Sequence, residues 1–475
     1  MKQHACIKIA VLFLLPLFVS CAINPVTGRH ELMLVSEAQE LNLGKEEAPS
    51  LTWEFGGHYK DSALEPYLES IVRKIWQNSE RPQLPMKFYV QNTSLPNAFA
   101  LPGYVAITRG LLSSLENEAQ FAAVMGHEVG HVMARHTAQR LSRMTLQQLG
   151  LAIGSATLQG IGGGDALLQV GALGSSLLLL KYDRSQEIQS DRLGVKYMAD
   201  LGYNPYEAMS AHDVLQKAVD DYLKRMGKSR SEDSAISQLF STHPRHEVRL
   251  NEIQSMINEL PPYRMQNDGI FRKQFQDATE RIRRINKIYY IYDEAEMHYQ
   301  KKDFRTAEEK VKKAISLDDS QPSFHNLLGM TKLQLKNYTE AENAFRSALS
   351  IDSGYQPAHY GLGLARYFQE NYREAVAEFK KSLALYPDHV QTHFGLGQSY
   401  FQMRQYAEAI PYLRNFAQAA PKHPDIHGLL GICYEKVGEV RPAIVEYENQ
   451  LKVSPDSEMG RHARKRLAVL APMIK

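Results

Sequence analysis

Apolar and polar positions follow two regimes along this chain. In the C-terminal part the pattern recurs every 34 residues. Phe304, Tyr338, Tyr372, Tyr406 and Val440 keep that step, and so do Ala307, Ala341, Ala375, Ala409 and Ala443. Gly329, Gly363, Gly397 and Gly431 repeat with them, with Ala295 in the first unit. Asp319, Ser353, Pro387, Pro421 and Pro455 close the units. The upstream part has no such period. There Glu65 to Asn78 has the apolar spacing of an amphipathic helix. Met86 to Val90 and Tyr104 to Thr108 read as strands, with Asn97 to Leu101 between them. Asn117 with Gln120 marks a helix start, and the helix runs from Glu118 to about Arg143. Phe121, Val124, Met125, Val129, Val132 and Met133 supply its apolar positions. Glu187 to Leu201 reads as a further helix, ended by Gly202 and Pro205. Arg264 to Lys287 is charged with spaced apolar residues and predicts a connecting helix.

The periodic part resembles the tetratricopeptide repeat, a helix-turn-helix unit of 34 residues. The small Gly or Ala allows close helix contact, and the aromatic at the start of the second helix packs on the first. Proline ends that second helix because it cannot continue the hydrogen-bond ladder. Five repeats are expected from about 288 to 457, with Glu458 to Leu470 as a capping helix. A solenoid of this kind presents a concave face to peptides or proteins, or serves as architecture alone.

Composition adds little to the body of the chain and more to its start. Lysine plus arginine number 55 and aspartate plus glutamate 53, so no basic excess points to nucleic acid. At the N-terminus Lys2 and Lys8 precede an apolar run from Ile9 to Val19, too short to span a bilayer. This reads as a secretory signal peptide. The run ends in Leu17-Phe18-Val19-Ser20-Cys21, which looks like a lipobox whose cysteine is acylated in bacterial lipoproteins. A plain signal peptide with an incidental cysteine is the alternative. Phe18 departs from the usual leucine. Ala22, by the same resemblance, favours the outer membrane. Cys6 then leaves with the signal, Cys21 carries lipid and Cys433 stands alone, so no intramolecular disulfide is available. The apolar stretch from Leu149 to Leu180 is broken by Gly162-Gly163-Gly164-Asp165 and predicts a core helical hairpin, with a membrane-facing surface as the alternative.

The candidate chemistry lies in Gly126-His127-Glu128-Val129-Gly130-His131. On a helix His127 and His131 stand one turn apart on one face, so both imidazoles can reach one ion. Glu128 is adjacent in sequence and can reach a water on that ion from the side, as a base needs. The two glycines keep the helix slim enough for substrate or another helix to pack close. Two solvated histidines on an exposed helix are the bland alternative. The apolar surroundings oppose it, because buried unpaired His and Glu are costly. A catalytic zinc needs a third protein ligand and an open position. Glu187, Asp191 and His243 are candidates. Glu187 and Asp191 lie one turn apart, so one can bind metal while the other orients an imidazole. An ordinary surface pair is their alternative reading. His136 and His246 read as structural or exposed, and Lys224 to Ser234 as a mobile lid or a plain surface loop.

These motifs together resemble the BepA-like and HtpX-like zinc metallopeptidases, a gluzincin family with H-E-x-x-H followed by E-x-x-x-D. The resemblance implies that His127, His131 and Glu187 bind zinc and that Glu128 is the general base. Asp191 takes the place of the second carboxylate, a proton donor by resemblance and an orienter of a bound histidine on physical grounds. Asn24-Pro25-Val26-Thr27-Gly28 resembles the start of the mature lipoprotein members. Asn97-Ala98-Phe99-Ala100-Leu101-Pro102-Gly103 resembles the family's edge strand and turn, where a substrate chain could add as a strand. Tyr104 stands where many members have a second glycine. Thr242-His243-Pro244 with Arg249 resembles a late motif, in which His243 stabilises an oxyanion or closes the open zinc position. A structural histidine at a helix start is the other reading.

The expected fold is mainly α: an α+β zincin-type metalloprotease domain with a small β-sheet, then an all-α repeat solenoid. Expected boundaries are 1–20 for the signal peptide, 21–260 for the peptidase domain, 261–287 for the connecting helix and 288–475 for the repeats. The expected function is zinc-dependent endopeptidase, with one zinc ion per chain, in the periplasm and anchored to the outer membrane by lipid on Cys21. Substrates are misfolded or stalled envelope proteins, and the repeats recruit substrate or the outer-membrane assembly machinery. A chaperone or scaffold with a latched site, and a purely structural zinc, remain as alternatives.

Overall fold

The computed structural model describes residues 21–159, 182–228 and 247–474. The chain divides into two compact units, 1–290 and 291–475.

The first unit begins with a hairpin, β1 (Cys21–Ile23) against β2 (His30–Leu32), antiparallel. Helices α1 (Glu37–Glu54) and α2 (Leu64–Gln77) follow. Three strands then form a small sheet: β3 (Phe88–Gln91), β4 (Ala98–Leu101) and β5 (Tyr104–Thr108). Their order is β3-β5-β4, with β5 parallel to β3 and antiparallel to β4, so β4 lies at an edge. Every residue of β5 is buried, as its continuous apolar character requires. A short helix α3 (Arg109–Leu112) leads to the central helix α4 (Glu118–Met133). Asn117 caps α4, its side chain accepting from Gln120 N at 2.9 Å. Phe121, Met125, Val129 and Met133 are fully buried along its core face.

The single long helix expected from Glu118 to Arg143 is two helices. Arg135 adopts a positive φ of 58° and breaks the run. A non-glycine residue tolerates that region only when its surroundings hold it. Here the Arg135 guanidinium donates to Glu40 Oε2 and to Val35 O, both at 2.8 Å. The chain then restarts as α5 (His136–Gln159). The expected break at Gly162–Asp165 lies outside the described residues. So do the signal segment, most of the expected lid, and Thr242, His243, Pro244 and His246.

Helix α6 (Arg184–Asp200) packs on α4, with α7 (Glu207–Arg225) and α8 (Glu247–Asn258) beside them. Glycine makes this contact possible. A Cβ on Gly126 would lie 3.1 Å from Gly194 Cα, and one on Gly130 would lie 3.1 Å from Ser190 Cα. Side chains there would push the helices apart. Their close approach sets the His127–His131 face of α4 against the Glu187–Asp191 face of α6. The first unit ends within helix α9 (Arg272–Gln300).

The second unit is all helical. Helix pairs alternate through α10 (Phe304–Leu317), α11 (Pro322–Gln334), α12 (Tyr338–Ile351), α13 (Gln356–Phe368), α14 (Tyr372–Leu385), α15 (Val390–Gln402), α16 (Tyr406–Ala419), α17 (Ile426–Lys436) and α18 (Val440–Val453). Helix α19 (Glu458–Leu470) packs on α18 as the cap expected there. The small-residue positions do what their spacing implied: a Cβ on Gly363 would lie 2.6 Å from the Phe379 ring. One periodic feature passed unnoticed in the sequence. His325, His359, His393 and His427 each place Nε2 at 2.8–3.1 Å from a turn carbonyl, on Asp319, Ser353, Pro387 and Pro421. A carbonyl only accepts, so each Nε2 carries a proton and ties the inter-repeat turn to the next helix. Among the described residues no helix is long and apolar enough to cross a membrane.

Candidate metal centre

Three side chains converge where α4 meets α6. The Nε2 atoms of His127 and His131 lie 3.1 Å apart. Glu187 Oε2 is 3.7 Å from His127 Nε2, and Glu187 Oε1 is 3.6 Å from His131 Nε2. Ligands at about 2.0–2.1 Å around a tetrahedral zinc sit roughly 3.3 Å apart. The observed spacings bracket that edge, and two imidazoles with one carboxylate are a zinc-compatible donor set. The cluster can therefore hold a metal ion. His131 and Glu187 are almost wholly buried, while His127 keeps 13% of its side chain open.

Surrounding hydrogen bonds orient both imidazoles. His127 Nδ1 lies 2.8 Å from Asp191 Oδ1. A carboxylate accepts, so Nδ1 holds the proton and Nε2 presents its lone pair to the centre. For His131 the chain is longer. His136 Nε2 donates to Gln189 Oε1 at 2.9 Å, which leaves His136 Nδ1 as an acceptor. His131 Nδ1 donates to it at 2.8 Å, which turns Nε2 toward the centre. Burial pushes the His136 imidazole down to about 4, which keeps it neutral, as this relay requires. Tyr182 stacks on His131 with ring centroids 3.8 Å apart.

Asp191 is itself held. Arg249 Nε and Nη2 donate to its two oxygens at 2.7 Å, and Arg249 Nη1 lies 2.7 Å from Glu187 Oε2. Burial opposes the charge on Asp191, but the Arg249 guanidinium and the hydrogen bond from His127 outweigh it. The carboxyl stays well below its usual range. Arg249 thus joins the metal-facing carboxylate to the one that orients His127.

A cleft of about 650 Å³ opens beside these groups. Glu128, His127, Asp191 and Arg249 line one part, and small or aliphatic residues such as Ala123, Gly194, Ala211 and Leu215 line the rest. His212, on α7, also lines the cleft, 3.7 Å from Asp191 Oδ1. The structure thus brings together His127, His131, Glu187 and Asp191, with Glu128 in the adjoining cleft. It does not describe His243. His136 and His212 were missed as site residues. His136 follows the helix break that the sequence pattern did not reveal, and His212 belongs to no motif. For His136 the signal available was its place five residues after His131.

A helix-borne pair of histidines, completed by a glutamate from a second helix, is the metal site of an H-E-x-x-H hydrolase class. Residues 62–257 match the profile of Peptidase family M48. Residues 322–355, 360–424 and 400–467 match tetratricopeptide repeat profiles. The chain carries a family M48 peptidase domain followed by tetratricopeptide repeats.

Among curated relatives, the beta-barrel assembly-enhancing protease of Yersinia pestis is 26% identical over 216 residues, covering 43% of this chain and 41% of that protein. The mitochondrial metalloendopeptidase OMA1 of Arabidopsis thaliana is 36% identical over 149 residues, covering 30% and 29%. The chain thus spans less than half the length of either relative. Among solved structures, YrrB, a TPR protein with an unusual peptide-binding site, matches with 20% identity, 40% of this chain, 97% of that one and a TM-score of 0.33.

Proposed function

We propose that this chain is a zinc-dependent endopeptidase of the bacterial cell envelope. It is exported by its N-terminal signal, anchored through a lipid on Cys21 to the outer membrane, and acts on misfolded or stalled envelope proteins. The observation that carries this reading is the convergence of His127, His131 and Glu187, with Asp191 and the His136 relay setting both imidazole tautomers. In the roles proposed, His127, His131 and Glu187 hold the zinc, Glu128 is the general base and Asp191 orients His127. Similarity to the beta-barrel assembly-enhancing protease supports a role in outer-membrane protein assembly and quality control, with the repeats recruiting substrate or partner.

Zinc held by these residues would supply a Lewis acid for the peptide carbonyl and lower the pKa of a water. The Glu128 carboxylate takes the proton from the attacking water and returns it to the leaving amide nitrogen. Asp191 holds the His127 Nδ1 proton throughout. Strand β4 lies at the sheet edge and borders the cleft at Ala98, where an extended substrate lying alongside would be bound through main-chain groups, tolerant of sequence. Beside it the cleft takes a bulky apolar side chain, because its room comes from Ala and Gly positions.

Two experiments test this reading. Removing metal with a chelator abolishes peptide hydrolysis, and adding zinc restores it, while circular dichroism stays near that of the loaded chain. Chelation that unfolds the first unit would favour a structural zinc instead. Filling the cleft with Ala211→Phe shifts preference from large to small apolar residues beside the scissile bond. The expected change in the kcat/KM ratio is about 10- to 100-fold, read with a peptide library. An unchanged profile removes the cleft from substrate recognition.

A further inference from the structure

Asn24 is fully buried and tied to the helix that carries the metal-facing histidines. Its amide nitrogen lies 3.4 Å from Ala134 O, the carbonyl at the C-terminal end of α4. The same nitrogen donates to the Glu31 carboxylate at 3.0 Å, and its carbonyl oxygen accepts from Val26 N at 2.9 Å. Two more bonds fix the segment after β2: Leu34 N donates to Ser142 Oγ at 2.7 Å, and Arg135 holds Val35 O. The N-terminal hairpin is therefore bolted to both helices that meet at the break after α4. Only Ala22 and Ile23 separate Asn24 from Cys21, and both lie in the paired strand β1. No stretch of free chain is left between them.

Consecutive residues span at most about 3.6 Å each, and a helix rises about 1.5 Å per residue. Cys21 is therefore within about 30 Å of the His131 imidazole by this route. Ile23 is 56% exposed and Leu34 36% exposed, so this hairpin and its exit place two large apolar side chains on the surface.

We propose that the hairpin of β1 and β2 is a rigid strut between the lipid on Cys21 and the C-terminal end of α4. It holds the first unit against a bilayer, and the preferred substrates are polypeptide segments within reach of that surface. This rests on the endopeptidase and lipid-anchor readings above and adds to them a lipid surface as the partner of this face. Ile23 and Leu34 dip into the headgroup boundary beside the anchor, as apolar side chains next to a lipid do.

The test uses the full-length acylated chain in vesicles of phosphatidylethanolamine and phosphatidylglycerol. One quenched fluorogenic peptide is displayed on lipid by polyproline spacers of about 10 or about 16 residues, stiff at roughly 3.1 Å per residue, so that the two differ by about the reach of the linker used below. The comparison is a chain with a Gly/Ser linker of about 12 residues inserted after Cys21, a flexible reach near 20 Å. The native strut cleaves the short-spacer reporter about tenfold faster than the long one, and the linker variant cleaves both alike. Energy transfer from Trp53 and Trp76 to a dansyl headgroup probe falls in the linker variant, a readout independent of activity. Equal cleavage of both spacers by the native chain, or energy transfer unchanged by the linker, overturns the strut. Absence of an acyl chain on Cys21 by mass spectrometry overturns it as well. Failure of both chains on the free peptide with zinc present removes the endopeptidase reading instead.

Discussion

Glu128→Gln lowers kcat for peptide hydrolysis by about 10²- to 10⁴-fold and leaves bound metal and melting temperature unchanged. A positioned general base contributes typically 10²–10⁴-fold, and glutamine cannot accept the proton of the attacking water. The side chain is buried to 6% exposure in the cleft wall beside His127, and glutamine has nearly its volume. The core has no reason to repack. The metal-facing atoms of His127, His131 and Glu187 are untouched, so metal analysis separates lost chemistry from a lost site. The variant also retains substrates that the native chain would release as fragments. Mass spectrometry of envelope proteins captured with it reports substrates and partners together. Full activity in both proteolysis and assembly assays would sink the endopeptidase reading and leave the repeats as the working part of a scaffold.

Asp191→Ala acts on stability and metal affinity at once. Arg249 is 2% exposed and spends two of its donors on Asp191. Breaking a buried ion pair outright costs about 3–5 kcal/mol, and because Arg249 keeps Glu187 at 2.7 Å the loss here falls below that range. His127 loses the acceptor that fixes its Nδ1 proton, which lowers metal affinity about 10- to 100-fold. Asp191→Asn keeps an amide oxygen to accept from His127, so metal affinity falls less than with alanine, but its NH2 then faces the Arg249 Nε donor and that bond is lost with the charge. Thermal melting of the metal-free chain isolates the first effect, and a competitive zinc titration isolates the second. A melting temperature and an affinity that both match the native chain would exclude Asp191 from the role described.

The repeat solenoid was legible because its information is local. Each helix packs on its immediate neighbours, so the spacing of Gly363 and Phe379 describes a contact as well as a pattern. The central helix was legible at its start, where Asn117 caps it, and not at its end. Its break at Arg135 depends on Glu40 and Val35, about a hundred residues upstream, and no local propensity encodes that. The edge position of β4 likewise follows from β5 pairing with both strands, which the order of strands along the chain does not reveal.

For the site, the sequence by itself determined the two histidines of α4, because helical period alone sets them on one face. It also marked the pairing of Glu187 with Asp191 and the glycines that thin the helix. Only the tertiary structure decided which partner each side chain has. Antiparallel packing at Gly126, Gly130 and Gly194 aligned Glu187 with both imidazoles and Asp191 with His127. It also brought in His136, Gln189, Arg249 and His212, and it bolted Asn24 to the end of α4. The reason is physical: periodicity along a helix is a local property, whereas a proton on one imidazole nitrogen is set by whichever acceptor folding places beside it.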